Sequence, residues 1–127
     1  MDSPRSILLI DDDPSIREVA RTVLEMVGGY DVETAASGLE GLKKARTSPP
    51  DAIVLDVMMP GLDGPGTFAL LQEHPETRDV PVILLTAKTQ AADRSRFAAL
   101  GVAGMLPKPF DPMTLCDQIA GILGWKS

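Results

Sequence analysis

The sequence has few of the residues that mark disulfide-rich, metal-binding or nucleic-acid-binding proteins. Among its 127 residues are one cysteine, Cys116, and one histidine, His74, which excludes a disulfide framework and a metal site built on cysteine. His74 has no partner motif for a metal or catalytic role. Lysine and arginine number 12 against 18 acidic residues, the net charge is -6, and no basic cluster occurs. We therefore expect no direct binding to nucleic acid.

Long apolar runs are also absent. One arginine precedes the aliphatic residues 7–10 and three acids follow them, so this segment is too short for a signal peptide or a membrane span. We expect a cytoplasmic protein without a membrane partner. The composition, 44% apolar and 24% charged, is that of a globular protein, and the length predicts a single domain over residues 1–127. Trp125 follows the last predicted helix almost directly, so we expect no output domain there.

Segments typical of strands and helices alternate along the chain. The predicted strands are residues 7–10, 30–35, 53–55, 82–85 and 104–107. The predicted helices are residues 14–27, 38–46, 65–73, 90–100, and a last helix with Asp111 as N-cap and Pro112 as first helical residue. The first helix has one apolar face, formed by Ile16, Val19, Ala20, Val23, Leu24 and Val27. This alternation predicts an α/β fold, a doubly wound five-stranded parallel sheet in the flavodoxin-like order 2-1-3-4-5.

The third predicted strand ends in an acid, Asp56. Its apolar residues, 53–55, suit a strand that is buried on both faces, and Pro60-Gly61 and Asp63-Gly64 indicate a loop before the next helix. In open α/β sheets, ligands bind beyond the carboxyl ends of the strands. An isolated aspartate here would be a loop or capping residue, but three other strands also run into polar residues. These are Asp11, Asp12 and Asp13 after the first strand, Thr86 after the fourth and Lys108 after the fifth.

The predicted strand order brings three of these acids together. Carboxylates about 4 Å apart repel each other by roughly 4 kcal/mol per pair at an effective dielectric constant near 20, so Asp11, Asp12 and Asp56 require a cation or a proton. Mg²⁺ suits such a site because it prefers oxygen ligands and keeps several waters. Lys108 and Thr86 approach from the other side and can stabilise a phosphoryl group on Asp56, the nucleophile.

Four motifs in order resemble the receiver domain of two-component response regulators, over nearly the whole chain. They are residues 7–14 (ILLIDDDP), 55–64 (LDVMMPGLDG), 85–87 (LTA) and 106–110 (LPKPF). The resemblance implies a bacterial phosphoprotein in a phosphorelay, which catalyses its own phosphorylation and dephosphorylation only and is otherwise not an enzyme. A sensor histidine kinase or a histidine phosphotransfer protein would phosphorylate Asp56, and a downstream protein would read the signal.

The resemblance also implies roles for the remaining site residues. Asp11, through water, and Asp12 would hold Mg²⁺, or Mn²⁺, together with Asp56 and the backbone carbonyl of Met58. Thr86 and Lys108 would contact the phosphoryl oxygens. The Lys108–Pro109 bond would be cis.

The sequence departs from the family pattern on the fifth strand. Met105 stands where the family usually has a switch Tyr or Phe that couples to the residue matching Thr86, and Val102-Ala103-Gly104 replace an acidic pair common in DNA-binding regulators. Methionine can still move between pocket and surface. We expect output through helix 4, strand 5 and helix 5, from a monomer or a weak phosphorylation-dependent dimer. Met58 and Lys88 stand where the family tunes loss of the phosphoryl group, and we expect that loss to be slow.

Several alternatives remain open. Asp13 is either a third acid near the metal or the N-cap of the first helix, and Pro14 favours the cap. A haloacid-dehalogenase-like phosphatase requires a second acid where Met58 stands. A nucleotide-binding fold requires a glycine-rich loop after the first strand, where the acids stand instead. The remaining rivals are a receiver-like module that works without phosphorylation, and the receiver part of a longer regulator or hybrid kinase.

Overall fold

A computed structural model describes residues 4–87 and 91–125 of the protein. The strands are β1 (Ser6–Ile10), β2 (Asp31–Ala35), β3 (Ala52–Asp56), β4 (Val82–Thr86) and β5 (Gly104–Pro107). The helices are α1 (Pro14–Met26), α2 (Gly38–Thr47), α3 (Gly64–Glu73), α4 (Ala91–Ala98) and α5 (Leu115–Leu123). The strands form one parallel sheet in the order β2-β1-β3-β4-β5. The predicted fold class and strand order are therefore confirmed.

The sheet is buried because helices cover both of its faces. Every residue of β3 and β4 is buried, as expected for strands between two helical layers. One face packs against α1 and α5 through Ala20, Leu24 and Ile119. The other face packs against α2, α3 and α4, with Phe68 and Phe97 contributing the largest side chains. The edge strand β2 is less buried, and its first positions alternate between exposed and buried.

Side chains cap the starts of α1 and α2. Asp13 is the N-cap of α1, and its Oδ1 accepts hydrogen bonds from the backbone of Ser15 at 2.8 Å and of Ile16 at 3.4 Å. At α2, Ser37 Oγ accepts from the Glu40 N–H at 3.1 Å, and the Glu40 carboxylate accepts in return from the Ala36 N–H at 2.8 Å. Caps of this kind contribute about 1 kcal/mol each.

The last helix begins later than predicted. Residues 112–114 form a separate turn, in which Asp111 accepts hydrogen bonds from the N–H groups of Met113 and Thr114, and α5 starts at Leu115. Met113 is 86% exposed, so no burial holds this turn in the helix. The Asp-Pro pair therefore caps a single turn here. α4 is shorter than predicted, because it ends at Ala98, and Gln90 lies outside the described residues.

The apolar face of α1 is wider than the surface that covers it. Ala20 and Leu24 are buried, whereas Val19 and Val27, which were predicted on the same face, are 46% and 69% exposed.

Among the residues that the structure describes, no helix has the length and apolarity to cross a membrane.

Candidate functional site

The carboxyl ends of four strands bring the predicted site residues to one edge of the sheet. Asp56 is the last residue of β3 and Thr86 the last of β4, while Asp11 directly follows β1 and Lys108 directly follows β5. Parallel register aligns these ends, since Asp56 pairs with Leu85 of β4. The convergence expected from the strand order is therefore present.

A lysine bridges two buried acids at the centre of this edge. Lys108 Nζ lies 3.1 Å from Asp11 Oδ2 and 3.1 Å from Asp56 Oδ2. The exposed fractions of Asp11 and Asp56 are 0% and 1%. Buried carboxylates are costly unless they are paired, and one ammonium group compensates two of them only in part.

The pKa values of Asp56 and Lys108 reflect this shortage of positive charge. Burial raises the pKa of Asp56 from 3.8 to about 6, although hydrogen bonds from Lys108 and from the Met58 backbone lower it. The nearby Asp11 carboxylate also raises the pKa of Asp56. Burial would lower the pKa of Lys108, but its hydrogen bonds to Asp56 and Asp11 outweigh that effect and raise it. At neutral pH, Lys108 is therefore charged and Asp56 is mostly ionised.

Three carboxylates at this edge fit a hard divalent cation. One oxygen from each of Asp11, Asp12 and Asp56 lies within 4.8 Å of the others. The donor set consists of oxygens alone, and Asp12 is exposed, which leaves a side of the site open to the waters that Mg²⁺ keeps. Asp13 is not one of the three acids, because its carboxylate caps α1.

The proposed switch residues lie on β4 and β5. Thr86 is buried at 3% exposure, and Met105 is partly buried against the cluster that contains Phe97. The side chain of Met58 is 62% exposed in the loop after Asp56. Lys88 lies outside the described residues. The Lys108–Pro109 bond is cis, as the resemblance implied.

Sequence reasoning missed two residues that support the site. Arg17 on α1 donates a hydrogen bond from Nη1 to the backbone carbonyl of Asp11 at 2.8 Å. Gly64 begins α3 against the end of β3, where an added Cβ would lie 2.6 Å from the Asp56 carbonyl oxygen. Asp63 is the N-cap of α3, so the Asp63-Gly64 pair, which was interpreted as a loop, was a usable signal for Gly64. Nothing in the spacing of Arg17 distinguished it from a solvent-facing arginine.

Comparison with known proteins supports the same family. The sequence model of one protein family, the response regulator receiver domain, matches residues 7–120 of this chain. The chemotaxis response regulator CheY4 of Vibrio cholerae has a similar structure, with a TM-score of 0.88 and 33% identity over 94% of this chain and 99% of that one. The receiver domain of sensor histidine kinase PA1611 of Pseudomonas aeruginosa, solved with magnesium in its active-site cleft, has a TM-score of 0.84 and 30% identity, covering 96% of this chain and 99% of that one.

A curated relative is longer than this chain. The probable transcriptional regulator ycf27 of Guillardia theta is 40% identical over 97% of this chain but over only 47% of its own length. The chain thus spans about half the length of the curated relatives it matches. The family match nevertheless covers most of the chain: β2 to β5 and α1 to α4 in full, nearly all of β1 and the first part of α5. The chain therefore belongs to the response regulator receiver domain family, whose members are signalling domains of two-component phosphorelays.

Proposed function

We propose that the chain accepts a phosphoryl group on Asp56 from a phosphohistidine of a sensor kinase or phosphotransfer protein. The observation that carries this proposal is the buried strand-end carboxylate of Asp56, held 3.1 Å from the Lys108 ammonium and beside two further acids. A carboxylate with a pKa of about 6 is largely ionised at neutral pH and remains nucleophilic.

In the proposed transfer, an Asp56 carboxylate oxygen attacks the phosphorus atom of the phosphohistidine. The new O–P bond forms as the P–N bond breaks, and the imidazole nitrogen keeps the bonding electron pair and takes up a proton. Lys108 would stabilise the phosphoryl oxygens by charge, and Thr86 by a hydroxyl donor. Asp11, Asp12, Asp56 and the Met58 carbonyl would hold Mg²⁺, which when bound supplies the charge neutralisation that phosphoryl transfer needs.

An exposed apolar groove beside the acceptor suits docking of the phosphodonor. Ile16 and Val19 of α1 and Phe110 and Pro112 after β5 line it, together with Lys108. The exposure of Val19, at 46%, leaves apolar surface next to the transfer site. A helical partner with an apolar face would bury this surface and bring its histidine to Asp56.

The output face is proposed to be α4, β5 and α5. Thr86 ends β4, the neighbour of β5, and Met105 of β5 packs against the cluster that contains Phe97. Movement of Thr86 toward a phosphoryl group would allow Met105 to repack. Amide exchange with and without a phosphoryl mimic tests this. Changed exchange around Thr86 and Met105 supports the face, and a change confined to the Asp56 loop overturns it.

Intact mass after incubation with Mg²⁺ and a small phosphodonor tests the phosphoacceptor. We expect the wild-type chain to gain one phosphoryl group, Asp56→Asn to gain none, and omission of Mg²⁺ to abolish labelling. Asp51→Asn is the matched control, because Asp51 lies just before the same strand at the opposite edge of the sheet. Undiminished labelling of Asp56→Asn contradicts the assignment. A folded wild-type chain that is never labelled favours the receiver-like module that works without phosphorylation.

The arrangement of the whole protein remains a prediction. The chain spans about half the length of its curated relatives. This is compatible with a single domain over residues 1–127. It is equally compatible with a receiver joined to further domains in a regulator or hybrid kinase. The mass of the protein purified from its natural source distinguishes the two.

A further inference from the structure

Arg17 contacts the acidic cluster in an unusual way. It is the fourth residue of α1, one turn after the acids of the loop. Three carboxylates, those of Asp11, Asp12 and Asp13, are close to Arg17 in sequence. The Arg17 guanidinium nevertheless donates to a backbone oxygen, the carbonyl of Asp11, at 2.8 Å in a partly buried contact. This bond ties α1 to the loop that carries Asp11 and Asp12.

The carbonyl that Arg17 binds belongs to the peptide unit between Asp11 and Asp12. A peptide unit is planar and includes the Cα atoms of both residues, so fixing the direction of its carbonyl holds both Cα atoms in place. It also restricts ψ of Asp11 and φ of Asp12, the dihedrals that set where the two side chains leave the loop. Asp11 is further held by its own N–H, which donates to the Ala35 carbonyl at 3.1 Å, and by the Asp13 N–H, which donates to Asp11 Oδ1 at 2.9 Å. Asp12 is exposed, and its position relative to Asp11 depends on the plane of this peptide.

We propose that Arg17 is a positioning residue for the divalent cation, acting by locking the Asp11–Asp12 peptide so that both carboxylates face the same point. This rests on the proposed function, since it assigns a role at the same metal site. The bond to a carbonyl also leaves the acid oxygens to the metal and to Lys108, which an arginine paired with either carboxylate would not do.

The charge and the hydrogen bond of Arg17 have opposite effects on the metal, and this makes the proposal testable. A positive charge near three acids repels a cation, so its removal alone strengthens Mg²⁺ binding. Loss of the hydrogen bond releases the peptide and weakens binding. Residues that orient metal ligands typically change affinity by about 10-fold or more when they are replaced.

The experiment compares Mg²⁺ dissociation constants, measured by titration calorimetry, for the wild type, Arg17→Met, Arg17→Lys and Arg21→Met. Arg21 is one turn further along α1 and forms an exposed ion pair with Glu25, so its replacement removes the same charge without touching the loop. We expect about 10-fold weaker binding for Arg17→Met, an intermediate value for Arg17→Lys, which keeps one donor, and unchanged or slightly tighter binding for Arg21→Met.

Thermal unfolding in chelator separates positioning from folding. A lower melting temperature with an unchanged Mg²⁺ dissociation constant means that the bond serves the fold alone, and this overturns the proposal. Equal dissociation constants for Arg17→Met and Arg21→Met also overturn it. If Arg17→Met does not fold, the Mg²⁺ dissociation constants of Arg17→Lys and Arg21→Lys are compared instead, and equal values again overturn the proposal. A wild-type chain that binds no Mg²⁺ overturns the proposed function as well, whereas wild-type binding that Arg17→Met retains overturns this inference only.

Discussion

Strand β3 has an aspartate at each end, and the two lie in opposite surroundings. Asp51, just before the strand, is exposed and accepts hydrogen bonds from the backbone N–H of Ser6 at 2.7 Å and from its hydroxyl at 3.3 Å. Asp56, the last residue of the strand, is buried beside a second acid and shares one lysine with it. At the edge of the sheet where the strands begin, the amino edge, Asp51 is satisfied by the protein itself. At the edge where they end, the carboxyl edge, two buried acids share the Lys108 ammonium, which compensates their charge only in part.

The amino edge also joins the two ends of the described chain. Trp125, after α5, lies 5.6 Å from the ring of Tyr30, centroid to centroid, and the Arg5 guanidinium lies 4.6 Å from the Trp125 ring. Tyr30 and Arg5 stand directly before β2 and β1. This cluster buries apolar area with no charge conflict, so we infer that the amino edge contributes stability and the carboxyl edge gives part of it up for function.

The largest expected effect comes from the amino edge. Trp125→Ala removes the ring contact with Tyr30 and the cation–π contact with Arg5, and should lower the free energy of unfolding by about 3 kcal/mol, because the half-buried ring leaves a gap. Urea unfolding followed by circular dichroism measures it, with Trp125→Phe as the milder control. Labelling of Asp56 in the folded variant should be unchanged. A loss of labelling without a loss of stability contradicts the division between the edges.

The next effect concerns pH at the carboxyl edge. The folded chain holds a proton on Asp56 up to about pH 6, whereas the free side chain loses it near 3.8. Between these values the folded state binds more protons, so the free energy of unfolding in chelator falls as the pH rises from about 4 to 6. The fall should amount to about 2 kcal/mol. It should be absent in Asp56→Asn, which should exceed the wild type in stability at pH 7.

Asp51→Asn is the control for this pH profile. It removes an acid from the other end of β3, so its stability should still fall over the same pH window. The interpretation of Asp56 as a strained acid is wrong if Asp56→Asn and the wild type show parallel profiles from pH 4 to 7.

Most of the fold and the members of the site were predictable from the sequence, because the signals were local and agreed with one another. The apolar strands run into Asp11, Asp56, Thr86 and Lys108 at their carboxyl ends, so the parallel order places these residues together. What was missed depends on how neighbouring elements pack. The reach of Arg17 back to the Asp11 carbonyl is one such case.

Two wrong expectations have the same origin. Periodicity defined an apolar face on α1 but not how much of it a neighbour covers, which is why Val19 is exposed. The pair Asp111-Pro112 signals the start of a turn, and the later start of α5 shows that burial decides whether the turn continues as a helix.

A smaller effect is expected from the exposed acid of the cluster. Asp12→Ala removes one repulsive carboxylate and one metal ligand, so Mg²⁺ should bind about 10-fold more weakly, while the metal-free protein should gain up to about 1 kcal/mol. Asp13→Ala is the matched control with the opposite sign, because Asp13 caps α1 and its loss should cost about 1 kcal/mol. Melting in chelator and Mg²⁺ titration measure both. A clearly less stable Asp12→Ala in chelator means that Asp12 is structural.

The smallest effect is expected for the lifetime of the phosphoryl group. Met58 is 62% exposed beside the acceptor, and its thioether offers a water no strong hydrogen bond, so it should shield the phosphorus atom without orienting an attacking water. Met58→Asn supplies a donor and an acceptor and should speed phosphoryl loss several-fold, a change of less than about 1 kcal/mol in the barrier. Intact mass during a chase without phosphodonor follows the loss, and Met26→Asn, at an 82% exposed methionine on α1, is the control. Equal rates in the wild type and Met58→Asn would show that the water is held by other groups, and the carboxyl edge would then set the lifetime through Asp11, Asp12 and Lys108 themselves.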